Sequence, residues 1–356
     1  MTTVAMDRPA PEFTTIAPDN WKLALAVGLA VSVLAILALP ASLAFWVTGA
    51  MAAMVAAAFV VNAYRRHYYG GLLVSPAIAV LFIMNIFPLL WSLGLSFFAY
   101  QSNQQSIRFI GLRNYELLLT NELKAPELWG NLTNTAMFVV LTVSAQMIVG
   151  FLLAVLFAKQ FPLRKYLLIL VLTPMMLSVV AVGVFFSYYY DPTFGLLSQI
   201  IKAWTGGEQF ILMSNKVGAV AGIVFCDAWM WSPFVMLLVL AGLVSVPKYL
   251  YEAAAIDRVS GFRRFWTITF PYIRGLLMLA LLFRTIEAFK LFDVVYLVTQ
   301  GGPGTSTETI AVYVYRVAFQ YFRTSQSTAL AYILLFIVIV LTNLYLYLVR
   351  QRSREA

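Results

Sequence analysis

The sequence predicts an all-α integral membrane protein with about eight transmembrane helices. Three observations carry this reading. The composition leaves too few charges for a water-facing surface, eight apolar runs are each long enough to cross a bilayer, and Lys and Arg concentrate in alternate connections. Of 356 residues, 62% are hydrophobic and 11% charged, where soluble domains run at roughly 45–50% and 25%. So few polar groups cannot cover a soluble body, which excludes a cytosolic enzyme, a nucleic-acid-binding module and a disordered chain.

A hydrocarbon core of about 30 Å takes about 20 apolar residues in a helix. Such runs fall at 22–39, 43–63, 72–99, 131–158, 166–190, 217–243, 273–299 and 327–349. They are long and lack the alternation of barrel strands, so helices are required. Residues 1–20 read as a polar tail. Asp7, Glu12 and Asp19 in it, and the length of the run that follows, speak against a cleaved leader. The first two spans form an N-terminal hairpin over 21–66, the other six a domain over 67–350, and 351–356 a second tail. Outer connections at 100–130, 191–215 and 300–326 are modest. No internal repeat is evident, which disfavours a secondary transporter built from inverted repeats.

Orientation follows from the basic residues. With the N-terminus inside, fifteen Lys and Arg fall in inner segments and seven in outer ones, with Arg284 and Lys290 inside the seventh span. Both termini are therefore expected in the cytoplasm. The net charge of +9 reads as topology, with the lipid bilayer as partner and no nucleic acid. One cysteine, Cys226, and one histidine, His67, leave no metal-ligand set. No Gly-rich phosphate loop followed by Lys-Ser/Thr occurs. No catalytic residue is expected, and the chain is read as a non-enzyme.

The inner segment 246–271 is the most informative. Pro247 suits a helix start, and Glu252-Ala253-Ala254-Ala255 is strongly helix-forming. Ser260-Gly261 signals a turn or C-cap, and Pro271 is expected to break a second short helix at the membrane entry. The product is a short helix-turn-helix whose small, apolar side carries the Glu252 carboxylate. Such a surface suits close approach of another protein through an Arg, or an interfacial position on lipid headgroups.

The spacing resembles the Glu-Ala-Ala loop of binding-protein-dependent ABC importer permeases of the carbohydrate-uptake family, in which a Leu-Pro follows the Glu by nineteen residues. Here Glu252 and Pro271 stand nineteen apart, and the family's Thr-x-Gly-Gly-Pro is matched by Thr299-Gln300-Gly301-Gly302-Pro303. Phe292-Asp293 and Thr307-Glu308-Thr309 look similar too, and the resemblance covers about residues 72–350. Arg258 stands where the family usually has Gly, Val259 where it has Ala, and Phe270 where it has Leu. The lost Gly implies either a later turn, at Ser260-Gly261, or an added contact by Arg258. The resemblance implies a six-helix permease core behind the extra hairpin, in a prokaryotic inner membrane. It also implies a second homologous permease, two ATPase subunits that use the ATP and Mg, an extracytoplasmic solute-binding protein, and no cofactor in this chain. Glu252, Ala253, Ala254, Asp257, Gly261 and Pro271 would form the ATPase-coupling loop, and the cargo would be a sugar, polyol or related small solute.

The seventh span carries Arg284, Glu287, Lys290 and Asp293, spaced by threes so that neighbours can pair along one helix face. Four charges at about 3 kcal/mol each cost about 12 kcal/mol, against about 5–9 kcal/mol returned by the span's fifteen Leu, Ile, Phe and Val residues. The span must therefore face other helices or a wet cavity. Pairing among the four and a role in the transport pathway both fit. The resemblance places pathway-lining positions at Arg284, Glu287, Ala288 and Leu291, and near Met230, Trp231 and Phe234 on the preceding span. Trp231 and Phe234 suit stacking on an apolar sugar face, and Arg284 and Glu287 suit hydrogen bonds to hydroxyls. Asp227 is also intramembrane, whereas Trp229, Trp231 and Tyr188-Tyr189-Tyr190 suit packing or an interfacial belt equally well.

Overall fold

The computed structural model describes residues 80–104, 106–120, 127–205 and 211–354, with isolated helical positions between 47 and 78. The expected N-terminal tail and first span lie outside the described residues, and only isolated positions of the second fall within them. The chain divides into two compact units, Met1–Asn114 and Tyr115–Ala356.

In the first unit, helix α1 (Phe82–Ser96) opens with a π-helical turn over Phe82–Ile86, directly before Pro88. A ring without an N–H cannot close the usual i→i−4 bond, and the wider turn ahead of it accommodates the loss. A hairpin follows, β1 (Phe98–Tyr100) antiparallel to β2 (Ile107–Phe109), with Ala99 opposite Arg108. Asn114 Nδ2 donates to the carbonyls of Ser96 and Phe98, both at 2.8 Å, and ties the hairpin to the helix end. The all-α expectation is thus corrected by one short sheet.

The second unit is helical. Its elements are α2 (Arg113–Leu119, which begins at the unit boundary), α3 (Glu127–Ala158), α4 (Arg164–Met176), α5 (Val179–Tyr189), α6 (Leu196–Thr205), α7 (Lys216–Ser245), α8 (Lys248–Ile256), α9 (Gly261–Phe289), α10 (Asp293–Val298), α11 (Ile310–Tyr315) and α12 (Thr324–Arg354). Among the described residues, four helices are long and apolar enough to cross a membrane: Leu128–Ala158, Lys216–Ser245, Gly261–Phe289 and Thr324–Tyr347. The fifth candidate is the pair α4 and α5, bent by 96°. Pro174 removes a helical donor near the end of α4, and Leu177 and Ser178 are extended, so the expected continuous span 166–190 is broken there. The described residues therefore account for four or five of the expected eight spans.

Helix α7 is the centre of the core. It packs along α3 and also against α9 and α4. Gly150 on α3 is a point of close approach: a Cβ there would lie 2.6 Å from Val235 Cβ and 2.7 Å from the Ser232 carbonyl. Small residues permit such backbone approach in membrane bundles, where packing replaces the hydrophobic drive between helices. Phe138, Ile223, Met230 and Val295 fill one end of the core, and Ala154, Val239, Ile273 and Ala280 the other.

Two sequence expectations are corrected here. Pro271 does not end a helix, because α9 runs unbroken from Gly261 to Phe289. A π-helical turn at Phe265–Thr269, closed by Phe270 N–H on the Phe265 carbonyl, makes room for the proline ring. The seventh span also stops at Phe289, and Lys290–Phe292 separates it from α10. The four charges therefore do not share one helix face.

Candidate functional site

The Glu252 segment is built from local rules. Pro247 is the extended residue before α8, and the helix closes in a Schellman motif, with the Val259 N–H on the Ala254 carbonyl at 2.9 Å. Arg258 is the left-handed residue of that motif, with φ +52°. The turn therefore lies at Arg258 itself. Ser260 instead caps the next helix, accepting from Arg263 N–H, and Gly261 begins that helix. Tyr251 and Thr269 share a hydroxyl hydrogen bond of 2.9 Å, and the Arg264 guanidinium lies 5.8 Å from the Tyr251 ring centroid, so α8 is pinned to the start of α9. Ala254 turns inward, while Glu252, Ala253, Asp257, Gly261 and Pro271 are exposed. Around them Ile256 is 81% and Phe262 78% exposed. The segment presents an apolar surface with two carboxylates.

A second constellation lies inside the bundle. Gln146 from α3, Asp227 from α7 and Arg284 from α9 are all buried. Gln146 Nε2 donates to Asp227 Oδ2 at 2.5 Å, and Arg284 Nε donates to Gln146 Oε1 at 2.8 Å. Arg284 Nη2 stands 3.9 Å from Asp227 Oδ2. The guanidinium carbon lies 4.5 Å from the centroid of the Trp231 ring, a cation–π contact. Three helices are thereby joined by one charge-balanced network. The amide supplies a donor to the carboxylate and an acceptor to the guanidinium.

The turn after α10 is equally ordered. Gln300, Gly301 and Gly304 have positive φ, and the Gly302-Pro303 bond is cis. Thr307 Oγ1 donates to the Gly302 carbonyl at 2.7 Å. Glu308 is fully buried and paired with Arg316 at 3.0 Å, and Arg316 Nη2 also donates to the Gln300 carbonyl. Asn134 on α3 donates to the carbonyls of Thr305 and Glu308, and Thr135 Oγ1 accepts the Ile310 N–H. The modest outer connection expected at 300–326 is a packed junction.

The family model described as "binding-protein-dependent transport system inner membrane component" matches residues 146–354. The chain belongs to this family. It is 33% identical over 267 residues to the sulfoquinovosyl glycerol transport system permease protein of Agrobacterium fabrum, covering 74% of this chain and 84% of that one. It is 32% identical over 259 residues to the trehalose/maltose transport system permease protein of Thermococcus litoralis, covering 73% and 85%. Among solved structures, a bacterial ABC transporter involved in the import of the acidic polysaccharide alginate superposes with a TM-score of 0.69 at 20% identity, covering 82% of this chain and 98% of that one. That likeness concerns the fold. The chain is thus an ABC transporter permease, a multi-pass membrane subunit and not an enzyme.

Within the permease, the expected pathway residues occupy different settings. Trp231 is half-buried beside Arg284, and Phe234 makes an edge contact with Phe283 at 6.3 Å. Glu287 is exposed and pairs at 3.1 Å with exposed Lys290. Ala288 and Leu291 are packed into separate clusters of the core. Arg284 therefore pairs across helices with Asp227 and Gln146, not along its own helix. Gln146 escapes a reading of charges alone. Its signal is an amide in the middle of an apolar run, which in a membrane requires a partner on another helix.

Proposed function

We propose that this permease forms half of the translocation pathway of an ATP-driven, binding-protein-dependent importer of a sugar, polyol or related small solute. A second homologous permease completes the pathway, two ATPase subunits hold ATP and Mg on the cytoplasmic side, and an extracytoplasmic binding protein delivers solute. Both termini and the Glu252 segment face the cytoplasm. The observation that carries the coupling role is the exposed face of α8 and its turn, which sets Glu252 and Asp257 among exposed apolar side chains. Such a face suits a groove on an ATPase lined by a basic residue. Closure of the ATPases on ATP moves α8 as a lever and, through the Tyr251–Thr269 bond, moves α9. Glu252, Ala253, Ala254, Asp257, Gly261 and Pro271 form this coupling element. Trp231, Phe234, Arg284, Glu287, Ala288 and Leu291 border or support the pathway. Support for the cargo class comes from relatives, which include a trehalose/maltose and an sn-glycerol-3-phosphate transport system permease protein.

The test is Glu252→Arg in the assembled transporter. A carboxylate facing an ATPase Arg becomes a repulsive pair, so membrane abundance should be kept while uptake and ATPase co-purification are lost. Normal uptake with normal co-purification would overturn the coupling role. Titration of sugars and polyols into the binding protein tests the cargo class.

A further inference from the structure

Arg284 carries a charge within a membrane span, yet it is only 3% exposed. In this conformation its guanidinium reaches no solute. Its Nε is spent on Gln146, an Nη faces Asp227, and its guanidinium carbon lies over the Trp231 ring. The Gln146 amide is locked in one orientation. Turned over, it would set its carbonyl against a carboxylate and its NH2 against a guanidinium. A fixed amide holds the guanidinium at its Nε, and the guanidinium carbon lies over the indole. Asp227 and Trp231 are four residues apart on α7 and so share a helix face. Of the groups in contact here, only Trp231 is half-buried; Gln146, Asp227 and Arg284 are buried.

We infer that Gln146, Asp227 and Arg284 are positioning residues for Trp231, and that the indole, not the guanidinium, meets the solute. The ring offers a stacking surface to the C–H side of a pyranose. This deepens the sugar-importer reading and rests on it. Arg284 then acts on transport through Trp231, and its charge is neutralised locally by Asp227.

Two substrate-independent measurements test this on the assembled transporter. In protein made with 5-fluorotryptophan, the Trp231 resonance is identified by its loss in Trp231→Phe. Arg284→Met, Asp227→Asn and Gln146→Leu are each expected to displace that resonance and leave those of the other seven tryptophans in place. Arg284→Lys should displace it too, because a single ammonium cannot reproduce the separate Nε and Nη contacts that hold the group over the ring. In a Cys226→Ser background, Trp231→Cys should react with a methanethiosulfonate reagent about tenfold faster than Arg284→Cys, since thiol reactivity follows exposure. A resonance unmoved in every network variant, or equal labelling at the two positions, would overturn the inference. Where a single variant fails to accumulate, the Asp227→Leu/Arg284→Met double variant strands no charge and should still displace the resonance. Displacement in a transporter that takes up neither radiolabelled maltose nor trehalose would keep the positioning network and count against the sugar reading.

Discussion

Arg258 holds a backbone conformation that disfavours side chains, and it does so where a helix must end. At φ +52° a Cβ meets the following carbonyl, at a cost of about 1 kcal/mol relative to glycine. Arg258→Gly should therefore raise the unfolding temperature of the purified transporter by a few degrees, equivalent to about 1 kcal/mol. An unchanged or lower temperature would mean that the Arg258 side chain offsets the strain through a contact of its own. The charges in α9 divide by burial in the same way. Arg284→Met strands Asp227, and a buried unpaired charge costs about 3–5 kcal/mol. Membrane abundance should fall, and the Asp227→Leu/Arg284→Met double variant should recover it. Glu287→Gln breaks only an exposed pair, worth about 0–1 kcal/mol, and should leave abundance unchanged. Quantitative immunoblots of the three variants separate these outcomes.

At the scale of elements, α8 is too short to be stable in isolation, because helices below about 12 residues are marginal in water. Its order depends on the Tyr251–Thr269 bond and on burial of Ala254. Tyr251→Phe removes one hydrogen bond, worth about 1 kcal/mol. Amide exchange should rise several-fold across 248–256 and stay unchanged in α3 and α7. Equal protection in the variant would show that α8 is held by its apolar contacts alone. The break between α9 and α10 has a comparable anchor. Thr309 Oγ1 donates to the Leu291 carbonyl at 2.8 Å and accepts the Val312 N–H. It thus satisfies a carbonyl freed by the break and caps α11 at once. Thr309→Val keeps the shape but leaves both groups unpaired, and should destabilise by about 1–3 kcal/mol, visible as a lowered unfolding temperature.

For the molecule as a whole, the arrangement of basic residues predicts which side of the membrane each connection faces. Trp204 and Asp257 are both exposed and lie in connections assigned to opposite sides. In the Cys226→Ser background, Trp204→Cys should react with an impermeant thiol reagent added to intact cells, and Asp257→Cys should react only after permeabilisation. Labelling of Asp257→Cys in intact cells would invert the topology and remove the coupling role of the Glu252 segment with it.

The long apolar helices and the helix-turn-helix at 246–271 were legible in the sequence because both obey short-range rules. A bilayer selects for runs of apolar residues, and Glu-Ala-Ala, Ser260 and Pro247 act within a turn of their own positions. Even here the sequence misplaced the turn, since Ser260-Gly261 suggests a C-cap while Arg258 carries the left-handed residue. Which charges pair, where a long run breaks and which loop is buried were decided only by the tertiary structure. Gln146, Asp227 and Arg284 each signal the need for a partner within their own runs, but they meet because α3, α7 and α9 pack side by side. The run 273–299 is apolar enough to continue, yet it breaks after Phe289, where Thr309 supplies the partner for the Leu291 carbonyl. The physical reason is the same in each case. Apolar burial is an average over a segment, whereas a polar group in a membrane must find a specific partner, and that partner is distant in the chain.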